Sequence, residues 1–302
     1  MNPATETLLQ RRAAALGNLP AMPSVLQSLG VCLSANPSEV NIERIVELIS
    51  YDKALAAQCL RMANSALFRG RAEVESIRGA VLALGIWRIR DVVYSSALPN
   101  FLVGSDDCMA PPVFWRHALG TALVSQHLAQ RLAIPNPDRF YLAGLLHDIG
   151  IIANSLLFRD EFARVLHRAE TSETPLCEVE QQVLGFTHCE SGRILADTWR
   201  LPREVASVIE YHHHVRAAGD SVEMSCVIYL ADLLCRLRGM GYGYYEARGF
   251  DLASEEPWLI LQSKYGAAKE LDLARFTFEL DQRAVEVQEL INEIFKDKRI
   301  VN

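Results

Sequence analysis

Apolar residues recur at helical spacing along almost the whole chain, which leaves little room for any fold but a helical one. Ile42, Ile45, Val46 and Ile49 fall at i, i+3, i+4 and i+7 and so share one helix face. Alternation at period two, the mark of a half-buried strand, is nearly absent. The expected fold class is all-α. At 302 residues the chain is long for one core and comfortable for two, so two packed helical regions are expected.

Pro20 and Pro23 open a helix to about Ala35, with further helices near 41–50, 52–65 and 76–98. The turn-formers from Gly104-Ser105-Asp106-Asp107 to Pro111-Pro112 mark a short connection between the two regions. The chain thus divides into residues 1–105, residues 106–240, and residues 241–302, the last a loop and a C-terminal amphipathic helix. In the second part a helix from Val113 stops near Leu132, and Asn136 and Pro137 suit the cap and first residue of the next. Thr187 and Glu190 form a capping box that opens another helix to about Trp199. Helices follow from Pro202 to His213 and from about Asp220 to Arg238, and the segment 239–257 is poor in helix signals. Near the end, Leu280, Ala284, Val287, Ile291 and Ile294 form one stripe, so this helix should pack back on the body.

Net charge of −7 argues against coating nucleic acid, because non-specific binding to phosphates needs a basic field. No basic leader precedes an apolar stretch at the start, and no apolar run is expected to reach the length of a membrane span. The seven cysteines are scattered without a C-x-x-C, as suits reduced thiols acting as small buried hydrophobes in a cytoplasmic protein.

Chemistry concentrates in the middle of the chain. Phe140 to Leu146 is uncharged on every side, so that helix should be buried all round, and His147-Asp148 follows directly. A carboxylate in such a place costs several kcal/mol unless it is paired, hydrogen-bonded or bound to a cation. Candidate partners sit among apolar neighbours on other helices: His117 beside Gly120 and Thr121, His212 on the stripe of Val205, Val208 and Ile209, and Asp232 inside Cys226–Leu234. Imidazoles and carboxylates converging from several helices are how bundle cores hold divalent ions.

The order His117, His147-Asp148, His188, His212-His213, Asp232 resembles the HD superfamily of metal-dependent phosphohydrolases, in its version with extra histidines for a second ion. Leu19-Pro20-Ala21-Met22-Pro23, Ile49 to Leu55, Leu60 to Ser65 and Ala80 to Gly85 narrow the likeness to the HDOD domain of bacterial signalling proteins, over about residues 18 to 238. The resemblance implies an all-helical fold whose second region is an HD-like bundle, and a role in signal transduction. It also implies one or two divalent ions, among which Fe, Mn, Zn, Ni and Mg are not distinguished. His117, His147, Asp148 and Asp232 match the basic ligand set, and His188, His212 and His213 the additional histidines.

Two functions remain open. One is a regulatory or adaptor module that meets a signalling protein or a phosphate-bearing small molecule, for which Arg61, Arg69, Arg71, Arg78, Arg88 and Arg90 offer a cationic surface or merely solvated helix faces. The other is a phosphohydrolase in which Asp148 and an ion-activated water would carry the reaction. Related cyclic-dinucleotide phosphodiesterases have a lysine where this chain has Ile151, and a Gly-Tyr-Pro signature where it has Val215 to Ala218. Weak or no hydrolysis of cyclic dinucleotides is therefore expected. Some HD-like oxygenases hold iron with similar residues, but no substrate cue for that chemistry is present.

Overall fold

The computed structural model describes residues 21–34, 40–70, 73–101, 109–242 and 251–295. Helices account for most of them, and no strand occurs among the described residues. The first region holds α1 (Ser24–Ser34), α2 (Ile42–Tyr51), α3 (Lys53–Ala63), α4 (Ile77–Leu84) and α5 (Ile86–Phe101). Asp52 caps α3 through its carboxylate, which accepts from Ala54 N at 2.9 Å. The single helix expected over 76–98 is two, because Gly85 sits at φ 80°, a conformation glycine adopts without a Cβ clash. The connection expected around Gly104 to Cys108 lies outside the described residues.

The second region runs through α6 (Pro111–Arg131), α7 (Arg139–Leu146), α8 (Ile149–Leu157), α9 (Arg159–Ser172), α10 (Leu176–Val183), α11 (His188–Thr198), α12 (Arg203–Tyr211) and α13 (Val222–Cys235). A 3-10 turn, Val215–Ser221, links the last two. Helix α6 is the axle, packed on α7 and α13. Asn136 does not cap α7 as expected: it takes a left-handed φ of 54°, and the helix starts at Arg139. The backbone is anchored just before α7 instead, where Asp138 Oδ1 accepts from Gln126 at 2.7 Å and Asp138 O from Arg90 at 2.8 Å.

The stretch Arg139–Leu157 passes for a membrane span by length and hydropathy, contrary to the expectation from sequence. It is broken by the His147-Asp148 turn, and 83% of its apolar window is buried inside the fold. The two regions meet across α5 and α7. Arg90 is buried there, paired with Asp91 at 2.6 Å, and the Ser95 and Tyr141 hydroxyls lie 2.8 Å apart.

The last part is more helical than a loop and one helix. After a 3-10 turn at Leu252–Ser254 come α14 (Glu256–Lys264), α15 (Gly266–Lys269) and α16 (Leu273–Ile294). Helix α16 begins ahead of the apolar stripe that starts at Leu280, because Asp272 caps it by accepting from Arg275 N at 3.0 Å. It packs on α6, burying Phe276, Leu280, Val287, Leu290 and Ile291.

Candidate metal centre

Each element delivers one or two polar side chains to a common point. His117 comes from the middle of α6, His147 and Asp148 from the turn after α7, and His188 from the first position of α11. His212 and His213 follow α12, and Asp232 comes from α13. All are buried except His213, which is half-buried at the edge. The α8–α11 approach that carries His188 inward depends on Gly150, where a Cβ would stand 1.8 Å from His188 O.

Asp148 is the hub. Its Oδ1 lies 3.2 Å from both His188 Nε2 and His212 Nε2, and its Oδ2 lies 3.1 Å from His147 Nε2 and 3.8 Å from His117 Nε2. His117 Nε2 is also 3.1 Å from Asp232 Oδ1. His213 Nε2 is 3.3 Å from His188 Nε2.

The outer nitrogens decide the tautomers. Nδ1 of His117 faces Met240 O at 2.9 Å, that of His147 faces Gly144 O at 2.8 Å, and that of His212 faces Ile209 O at 3.1 Å. Carbonyl oxygens only accept, so each Nδ1 carries the proton. His188 Nδ1 likewise donates to the buried Glu180 Oε2 at 2.7 Å. Four Nε2 lone pairs therefore point inward at carboxylate oxygens, acceptor against acceptor. Nε2 of His117, His147 and His212 and Oδ1 of Asp148 are buried with no hydrogen bond. Extra protons or a cation must lie between them. A divalent ion fits: its donors are preset, and an outer layer of hydrogen bonds fixes each imidazole, as metal-binding histidines require.

Electrostatics follow the same geometry. Burial pushes Asp148 up, but His147 and its neighbours outweigh that and hold the carboxyl well below the usual range. Burial pushes Asp232 up as well, and Arg236, whose Nη2 lies 2.5 Å from Oδ2, overrides it downward. Burial and the His213 charge pull His212 down to about 4. A neutral imidazole there is a ready ligand.

Above the centre opens a cleft of about 1330 Å³ with Asp148, Asp232, His188 and His213 in its lining, beside Arg116, Arg236, Cys177 and Tyr229. The seven side chains named from the sequence thus gather in one place. Five of the six arginines do not join them. Arg78 pairs with Glu43 at 2.6 Å, Arg90 is buried against Asp91, Arg61, Arg69 and Arg88 are exposed, and none of these lines the cleft. Arg71 lies outside the described residues.

Sequence reasoning missed four side chains at the site. Glu180 holds His188 twice, through Nδ1 and through its backbone N at 2.9 Å, and takes Asn154 Nδ2 at 3.0 Å. Tyr242 donates to Asp148 Oδ2 at 2.9 Å and packs on the His117 ring at 4.3 Å between centroids. It belongs to Gly241-Tyr242-Gly243, a segment with no helix signal to mark it. Arg116 and Arg236 are the other two. Glu180→Gln is expected to lower ion affinity about tenfold or more, since outer partners of metal ligands commonly carry that much. Titration calorimetry on the chelated protein checks this, and an unchanged affinity would remove Glu180 from the site.

A family model for the HDOD domain matches residues 19–215, well over half of the chain. The chain belongs to the HDOD family. An HDOD domain protein of unknown function from Geobacter sulfurreducens has a similar solved structure, with TM-score 0.84, 26% identity, and coverage of 96% of this chain and 97% of that one. A candidate phosphohydrolase from Shewanella amazonensis superposes with TM-score 0.73 over 95% of this chain and 97% of its own, at 22% identity, a level that speaks for the fold alone. An uncharacterised protein of Treponema pallidum is 27% identical over 216 residues, which span 70% of this HDOD chain and 40% of the relative's length.

Proposed function

We propose that this HDOD protein is a regulatory module of bacterial signal transduction that recognises a phosphate-bearing small molecule at a divalent metal centre. One observation carries the reading: Arg116 and Arg236 line the same cleft as the Asp148 and Asp232 carboxylates. Where Ile151 is buried and offers no cation, these two guanidiniums supply positive charge beside the candidate ion position.

His117, His147, Asp148 and Asp232 would hold the ion, with His188, His212 and His213 bordering a second. Such an ion polarises and neutralises phosphate oxygens. The chain's own groups do the rest. Arg116, tied to Gly241 O at 3.3 Å, presents its guanidinium at the cleft wall. Arg236 braces Asp232, and Tyr242 braces Asp148.

The test is calorimetric binding of nucleotides and cyclic dinucleotides to metal-loaded protein. Arg116→Met is expected to weaken binding roughly tenfold with ion content unchanged, the scale of one charged hydrogen bond. Absence of ion-dependent binding across the panel would overturn the proposal. A second reading, phosphodiester hydrolysis, is favoured by the openness of the cleft directly onto Asp148. Turnover abolished in His147→Ala would establish it in place of pure recognition.

A further inference from the structure

Beside the nitrogen and oxygen donors stands a group of different character. Cys177 on α10 and Cys189 on α11 have their sulfurs within 4.8 Å of each other and of donor nitrogens of His188 and His213. Cys177 Sγ lies 3.9 Å from His188 Nδ1. Neither cysteine is in a disulfide. Cys177 is half-buried and lines the cleft together with His188 and His213, while Cys189 is buried beneath them.

We infer that Cys177, Cys189, His213 and His188, the last through Nε2, form a thiolate-bearing second ion position that takes Zn²⁺ in preference to harder ions. This rests on the metal-centre reading above, in which Glu180 holds the proton of His188 on Nδ1 and the single Nε2 lone pair serves the thiolate position while the Asp148 hub keeps His117, His147 and His212. Tetrahedral zinc separates ligand atoms by about 3.3–3.8 Å, given bonds of ~2.0–2.3 Å to nitrogen and sulfur. A cluster already confined within 4.8 Å reaches that spacing with side-chain shifts of about 1 Å or less. Two thiolates and two imidazoles are a zinc set, whereas the His117/His147/Asp148 position, with nitrogen and oxygen donors, accepts a wider range of ions.

Binding is proton exchange without electron transfer. Each thiol releases its proton to solvent as its sulfur bonds to zinc, and the ion replaces the hydrogen bond between His213 Nε2 and His188 Nε2. Because these ligands lie at the cleft wall, an ion there would face whatever the cleft holds.

The experiment uses full-length protein, stripped with chelator and reloaded with Zn²⁺ or Co²⁺, in wild type, C177S/C189S and H117A. Zinc per chain is measured by elemental analysis, and the cobalt forms by absorption. Wild type is expected to show a thiolate-to-cobalt charge-transfer band in the near ultraviolet. C177S/C189S should lose that band and about one equivalent of zinc, and H117A should keep the band. Cobalt bound to wild type without the band overturns the thiolate position while the His/Asp centre stands. No bound ion in any protein overturns both. Circular dichroism checks folding, and if the double variant does not fold, Cys177→Ser alone, at the cleft-lining residue, gives the same reading.

Discussion

Asp148→Asn is expected to abolish ion binding at the His/Asp centre and leave the fold intact. The carboxylate is approached by His147, His188, His212 and Tyr242 at 2.9 to 3.2 Å, so no other side chain is in contact with so much of the centre. Asparagine keeps the shape but replaces one oxygen with an NH₂ group. That group donates to the inward Nε2 lone pairs, which removes the need for a cation. Loss of an outer partner already costs ~10–100-fold in ion affinity, so loss of the central ligand should cost more than about 100-fold. Elemental analysis after dialysis against Mn²⁺, a harder ion that the thiolate position disfavours, reads the result, with thermal unfolding of the chelated variant alongside. Ion content equal to wild type would sink the metal-centre assignment, and a variant that unfolds would show Asp148 to be structural.

Gly150→Ala should be the most damaging small substitution in the second region. Its added Cβ would meet His188 O at 1.8 Å and Gly192 N at 2.7 Å. Both are backbone atoms, so no rotamer change relieves the clash and α8 must move off α11. Overpacking of this kind costs about 3 kcal/mol, which lowers Tm by roughly 5–10 °C in a chain of this size. His188 would move with α11, so ion affinity should fall together with Tm. A variant with wild-type Tm would mean that the two helices separate at little cost.

The candidate ligand set was legible because it breaks the local pattern. His147 and Asp148 end a run buried on all sides, and Asp232 interrupts the apolar helix α13, so each is conspicuous against its neighbours. The helices were legible from periodicity, and the Thr187–Glu190 capping box forms as expected, with Thr187 N donating to Glu190 at 2.8 Å. Glu180 was not legible. It lies among Glu178, Gln181 and Gln182 on a helix with a polar face, and only the packing of α10 shows that this carboxylate is the one turned inward to His188. Tyr242 and the cleft arginines are hidden for the same reason, since their role depends on how the chain returns over α6 after α13. The break at Gly85 escaped because an isolated glycine in a helical pattern is compatible with both continuation and a turn. The arginines of the first region show the opposite error: close in sequence, the five that lie among the described residues do not gather at the site.

Asp232, Arg236 and Tyr242 come after residue 215, where the match to the family ends. Arg236 braces one carboxylate of the centre and Tyr242 the other, while His117 Nδ1 is held by Met240 O. The portion of chain by which a relative is recognised is therefore not the portion that completes its chemistry. Two proteins can share every defining helix and differ in the closing strap, one with a full ligand set and a cationic wall, the other without either. Six of the seven candidate ligands fall inside the matched stretch, yet the groups that would complete and brace the site fall beyond it, so kinship over the matched helices does not by itself carry the whole constellation.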